Sequence, residues 1–268
     1  MKKIKSIVNN LFPADGLKFV KSNYRSIRGW YKSQQYNGNV VYCSCCDKSF
    51  SSFKDFNYSA DLSNESRFVE TYKNTDCPNC YSHPRHRIIC TYLNENKVKL
   101  QQQNILMFGA EYSIEKWFRT NNIPYTTADL FDRTADIKAD IQNTSFPDES
   151  WSLIICNHVL EHVPDYALAL KELKRILKKD GVLEISVPTD RVLSKTIENT
   201  NILSVKERIA TFGQIDHMRI FGTDIEKLLM AAGFFVEVID GNTLPDNLVA
   251  KVGPANYDDN RIYLCKKW

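Results

Sequence analysis

The chain has 268 residues, which suits one main domain with a small attachment. With 43% hydrophobic, 25% charged and 12% aromatic residues, it has the composition of a globular protein, not a disordered or fibrous one. The net charge of +3 gives no field that argues for nucleic acid or an acidic substrate, and no apolar run reaches the roughly 18–20 residues of a spanning helix.

Residues 1–39 form a basic leader, in which Lys2, Lys3, Lys5, Lys18, Lys21, Arg25, Arg28 and Lys32 face one acid, Asp15. Polar residues and Pro13 break every apolar stretch, so no secretion signal follows the lysines and the chain is expected in the cytoplasm. Ile4, Ile7, Val8 and Leu11 fall at helical spacing. That pattern suits peripheral contact with an anionic membrane or a protein partner; a solvated leader is the competing reading.

Residues 40–92 read as a metal-binding module. A cytoplasmic chain keeps its thiols reduced, so the spacing of the eight cysteines points to metal. Cys43 with Cys46 and Cys77 with Cys80 are two C-x-x-C turns, which together complete the closed tetrahedral thiolate shell of a structural zinc. Iron uses the same pairing, but no other redox motif accompanies it, and Cys45 is an alternative ligand in the first turn. Phe50, Phe53, Phe56 and Tyr58 supply a small apolar cluster, Cys90, Cys156 and Cys265 suit core packing, and Arg85, His86 and Arg87 form a basic triplet beside the metal site that reads as a contact for an anionic substrate or as a solvated face.

Residues 93–268 alternate strand and helix. Apolar runs at 105–108, 125–128, 153–156, 182–187, 234–239 and 262–265, with amphipathic stretches between most of them, predict a mostly parallel α/β sheet covered on both faces, its last two strands antiparallel. The clearest helix starts at the cap Asp165, carries Leu170, Leu173 and Leu177 on one face and stops at Gly181.

Ligands of such a sheet lie beyond the carboxyl ends of its strands, so the residues there are the candidate site. Gly109, Ala110 and Glu111 follow the first strand, and Asp129, with Leu130 beside it, ends the second at the offset of a ribose ligand. One glycine in place of three argues against a dinucleotide. Asp140 and Ile141 suit an adenine, and Asn157 with His158 suits the pocket floor; turn capping by Asp140 and core packing of His158 are the competing readings.

The run from Phe146 to Asp165, including Cys156-Asn157-His158-Val159-Leu160-Glu161-His162-Val163-Pro164, resembles the fourth-strand region of class I S-adenosylmethionine-dependent methyltransferases, and Leu177 to Leu183 resembles the segment entering their fifth strand. Cys77-Pro78-Asn79-Cys80 through Arg87 and Phe212-Gly213-Gln214-Ile215-Asp216-His217 through Gly222 resemble a bacterial subgroup with an N-terminal zinc knuckle. The resemblance implies a Rossmann-like methyltransferase fold and S-adenosylmethionine as cofactor. It makes Gly109 and Ala110 the cofactor-facing turn, Asp129 the ribose ligand, Asp140 and Ile141 the adenine contacts, and Glu111 a partner for the ammonium group.

The segment from Gly213 to Gly222 shows no regular period and follows the fifth strand, which makes His217 the first choice for a general base and His162 the second. A loop pinned by an Asp216–Arg219 pair competes with that role. The acceptor reads as a small molecule or glycan intermediate. Two further readings are a non-catalytic adaptor that binds a partner through the zinc module, and a nucleic-acid methyltransferase, which the lack of a basic and aromatic stripe in that module opposes.

Overall fold

The computed structural model describes residues 13–57, 71–199, 204–244 and 260–268. Ile4, Ile7, Val8, Leu11 and Tyr58 lie outside the described residues. Helix α1 (Ala14–Ser33) leads to a hairpin of β1 (Val41–Cys43) and β2 (Lys48–Phe50), a second pair of β3 (Lys54–Asn57) and β4 (Thr71–Asp76), helix α2 (Pro84–Glu95) and the short α3 (Lys97–Leu100). The main domain follows as β5 (Ile105–Phe108), α4 (Tyr112–Thr120), β6 (Thr126–Asp129), β7 (Ile137–Lys138), β8 (Trp151–Asn157), α5 (Tyr166–Ile176) and β9 (Leu177–Ser186). Then come β10 (Ile197–Glu198), α6 (Val205–Phe212), β11 (Arg219–Ile220), α7 (Ile225–Ala231), β12 (Phe234–Asp240) and β13 (Arg261–Lys267).

Seven strands form one sheet in the order β12-β13-β9-β8-β5-β6-β7. β5 is parallel to β6 and β8, and β8 to β9, while β13 runs antiparallel to both neighbours, as the sequence predicts for the last two strands. This is the Rossmann-like class I methyltransferase sheet. Helices cover both faces, so alternate residues of β5 serve two apolar layers: Ile105 and Met107 face α2 and α4, and Leu106 and Phe108 face α5 and α7.

Helix α5 begins as predicted, with the Asp165 side chain accepting from the Leu168 amide, but it ends at Ile176. Leu177 and Gly181 both belong to β9, because Leu177 takes extended geometry and pairs with Trp151 before a register shift in β8. The segment between Gly213 and Gly222 is also more regular than its sequence suggests. Gly213 caps α6 in the left-handed conformation at φ 85°, and Arg219–Ile220 pairs with Ile197–Glu198. Among the described residues no helix is long and apolar enough to cross a membrane.

Candidate functional site

The predicted site residues lie along the carboxyl ends of four neighbouring strands, β8, β5, β6 and β7. After β5 the chain turns at Gly109 with φ 59°, where a Cβ would stand 2.8 Å from Val159 Cγ2. Both favour glycine, and the turn lies directly against the loop that leaves β8. Glu111 opens α4, and its Oε1 is 2.7 Å from both Arg85 Nη2 and His86 Nε2, while Oε2 is buried without a hydrogen bond. Burial works to raise the Glu111 carboxyl, but Arg85 and His86 outweigh it and hold the group well below the carboxylate range. Burial lowers His86 to about 4, so its imidazole stays neutral, with Nδ1 accepting from the His83 amide.

The expected surface triplet is thus absent. Arg85, His86 and Arg87 are all buried because the start of α2 is wedged between the sheet and the cysteine turns. Arg87 donates to the Ser82 carbonyl at 2.6 Å and the Thr75 carbonyl at 2.7 Å, and its guanidinium lies 4.0 Å from the centre of the Phe53 ring.

Asp129 ends β6 and lines a small cleft with Ala110, Thr127, Asp132, Thr134 and Lys18. Its Oδ1 accepts from the amides of Phe131 and Asp132 at 2.7 and 2.8 Å, which fixes the loop around the half-exposed Leu130. Asp140 accepts from the Gln142 amide at 2.9 Å, so it does cap a turn; Ile141 is buried beside it. Asn157 is buried at the end of β8, its Oδ1 accepting from Ser186 Oγ at 2.7 Å and its Nδ2 without a hydrogen bond. His158 follows in left-handed geometry at φ 52°.

Beyond β8, His158 Nδ1 stands 3.2 Å from Oε1 of Glu161, which is fully buried, and His162 Nε2 stands 3.9 Å from the same oxygen. The loop after α6 brings His217 against this group, with ring centroids of His162 and His217 4.8 Å apart. His217 is buried and its Nδ1 donates to the Phe212 carbonyl at 3.0 Å; burial pulls its imidazole down. The expected Asp216–Arg219 pair does not form. Arg219 turns inward to the carbonyls of Leu160, Val163 and Pro164 and to Glu198, and Asp216 stands 3.5 Å from His162 Nδ1. Sequence reasoning missed two buried ionisable groups here, Arg219 as the clamp of the 160–164 loop and Glu184 near Asn157.

Cys43, Cys46, Cys77 and Cys80 converge with all four thiols buried. The sulfurs of Cys43 and Cys80 are 3.6 Å apart and those of Cys46 and Cys77 3.7 Å, far beyond a disulfide bond. Two sulfurs at about 2.3 Å from one ion in a tetrahedron stand about 3.8 Å apart, so the quartet fits a zinc or iron ion. Cys45, the alternative ligand, lies outside this quartet.

A family model described as a methyltransferase domain matches residues 81–237. An uncharacterized protein of Methanocaldococcus jannaschii is 35% identical over 97 residues, 34% of this chain and 42% of that protein. An uncharacterized methyltransferase of Bacillus subtilis, YcgJ, is 32% identical over 65 residues, 23% of this chain and 26% of that protein. The chain spans less than half the length of either curated relative. A solved structure of an S-adenosylmethionine-dependent methyltransferase from Mesorhizobium loti is 16% identical, with a TM-score of 0.45 over 66% of this chain and 95% of that one.

Proposed function

Because the chain belongs to the methyltransferase-domain family, we propose that it transfers the methyl group of S-adenosylmethionine to a small molecule or glycan intermediate. The observation that carries this reading is the buried polar groups gathered at the strand ends. Oε2 of Glu111 is buried without a hydrogen bond, and Asn157 is buried at the end of the next strand, beside a turn whose φ of 59° favours glycine. A cationic ammonium suits the first, and Asp129 at the neighbouring strand end suits two ribose hydroxyls. Gly109 and Ala110 then form the cofactor-facing turn, with Leu130, Asp140 and Ile141 at the adenine and Asn157 and His158 on the floor.

When bound, the sulfonium supplies an already activated methyl group, so the protein mainly orients the acceptor and handles its proton. His162 and His217 are the imidazoles nearest the loop that leaves β8 and are the candidates for that second task. Calorimetric titration with S-adenosylmethionine tests the reading. Binding by the native chain is expected, and Asp129→Ala should weaken it at least about tenfold, the value of one charge-assisted hydrogen bond. Asp129→Asn retains the Oδ1 that fixes the loop, so it isolates the lost charge. No binding by the native protein would favour the adaptor reading; native affinity in both variants would remove Asp129 from the site.

The cysteine quartet is proposed to hold a structural zinc, since four thiolates leave no open position. The leader, module and methyltransferase domain are proposed to divide near residues 39 and 92. α1 supports peripheral contact with an anionic membrane, because its outer face exposes Phe19, Tyr24, Ile27 and Trp30 among basic residues.

A further inference from the structure

We propose that Glu161, His162 and His217 form a second metal centre, a two-histidine, one-carboxylate site for a divalent first-row transition ion. One ligand atom from each residue lies within 4.8 Å of the other two. An ion at about 2.1 Å from each would draw the three atoms to about 3.0–3.4 Å apart, a closure that needs small side-chain shifts, His162 being the partly exposed member.

Three observations point to an ion. Glu161 is fully buried and faces imidazoles alone, His158 at 3.2 Å and His162 at 3.9 Å from Oε1 with His217 beside them, while its Oε2 has no hydrogen bond. A carboxylate so placed is costly unless a cation completes it. Each ligand histidine has Nδ1 against a backbone carbonyl, Asp216 at 3.4 Å for His162 and Phe212 at 3.0 Å for His217. A carbonyl only accepts, so Nδ1 carries the proton and Nε2 keeps its lone pair, the arrangement that orients imidazoles toward metals. The backbone is also held from both sides. The Met218 amide donates to the Glu161 carbonyl at 2.9 Å, and Arg219 clamps the carbonyls of Leu160, Val163 and Pro164.

Three protein ligands leave open positions, as in sites that bind an oxygen ligand on the metal. The use of those positions rests on the methyl-transfer reading; the metal site itself does not. An acceptor hydroxyl bound there loses its proton to water. Its oxygen then forms a bond to the methyl carbon, and the carbon–sulfur bond breaks to leave a neutral thioether. The histidines act as ligands in this scheme, and metal binding replaces a side-chain base.

The test uses the full chain with its cysteine-bound metal in place and MnCl2 alone as probe, because Mn²⁺ is a hard ion that thiolates bind poorly. Paramagnetic resonance of free Mn²⁺ should show saturable uptake of one ion per chain. Glu161→Gln and His217→Ala should each weaken uptake at least tenfold, with melting temperature recorded to confirm folding. His162→Ala removes a partly exposed ligand and carries the test if the buried variants fail to fold. No uptake of Mn²⁺ by the native protein, or unchanged uptake in folded His162→Ala, overturns the proposal. S-adenosylmethionine binding is measured separately on the same preparations, so intact donor binding without a metal site rejects this inference alone.

Discussion

Glu184 sits in the middle of β9, between Ile155 of β8 and Leu264 of β13, with its carboxyl buried and without a hydrogen bond. Burial raises it to about 8, and Glu111 adds to the rise; Asn157, Arg85 and His158 pull the other way, and Tyr92, Cys156 and Cys265 also feel its charge. Glu184 is therefore protonated in the folded protein at neutral pH, whereas in the unfolded chain it ionises near its ordinary value. The folded state holds the extra proton, so this group withdraws stability as pH rises from about 4.5 to about 8, by up to about 1.4 kcal/mol per unit. Glu184→Gln should raise the melting temperature relative to the native chain at pH 8 and change it little at pH 4.5. Equal shifts at both pH values would show that Glu184 is ionised in the fold. The places of Asp129, Asp140 and Asn157 at strand ends were legible because strand ends are readable from apolar runs. Glu184 lies inside such a run, where a single carboxylate reads as an interruption and its partners come from distant segments.

At the scale of elements, α1 is turned inside out. Beyond the buried Leu17, its inner face carries small residues: a Cβ on Gly29 would meet the Asn79 carbonyl oxygen at 1.9 Å, and Ser26 bonds Tyr112 at 2.8 Å. Its large apolar residues point outward among Lys21, Arg25, Arg28 and Lys32. Each basic residue near an anionic surface contributes about 1 kcal/mol, and the aromatic rings suit the headgroup region. The full chain should co-sediment with vesicles containing phosphatidylglycerol at low salt. It should not do so with pure phosphatidylcholine, and Arg25→Glu with Arg28→Glu, or Phe19→Ser with Trp30→Ser, should release it. Retention by single-stranded RNA but not by vesicles would instead mark the helix as a nucleic-acid surface. The parallel strands were legible because strands buried on both faces read as continuous apolar runs. The orientation of α1 was hidden, since a contact face of glycine and serine leaves no hydrophobic period. The bend at Leu177 was hidden too, because only pairing with Trp151 turns an apparent helix stripe into a strand.

At the scale of the whole molecule, the cysteine quartet and the sheet share one core. The cluster that contains Cys43 and Cys80 continues through Phe53 and Leu93 to Met107, Trp117 and Leu264. Polar bonds follow the same route, since Trp117 Nε1 donates to Asn94, Asn94 to the Ser44 carbonyl, and Ser44 to the Arg87 carbonyl. The helix that closes this core also carries Arg85 and His86, which hold Glu111 at the candidate cofactor site. Without a metal the quartet is four buried thiols in mutual contact, so loss of the proposed zinc should be felt at the strand ends. Elemental analysis should give one zinc per chain from the quartet, and iron there or no metal would refute the assignment. Structural zinc contributes about 10–16 kcal/mol in isolated finger peptides, and a chain of this size loses roughly 2–4 °C per kcal/mol, so even partial loss is large. Chelation, or Cys77→Ser, should lower the melting temperature by more than about 10 °C in a single calorimetric transition and weaken S-adenosylmethionine binding with it. Cys45→Ser should cost far less, because that thiol is buried but outside the quartet. Two separate transitions after chelation, with donor binding intact, would show that the cysteine module folds on its own and that the shared core does not couple it to the sheet.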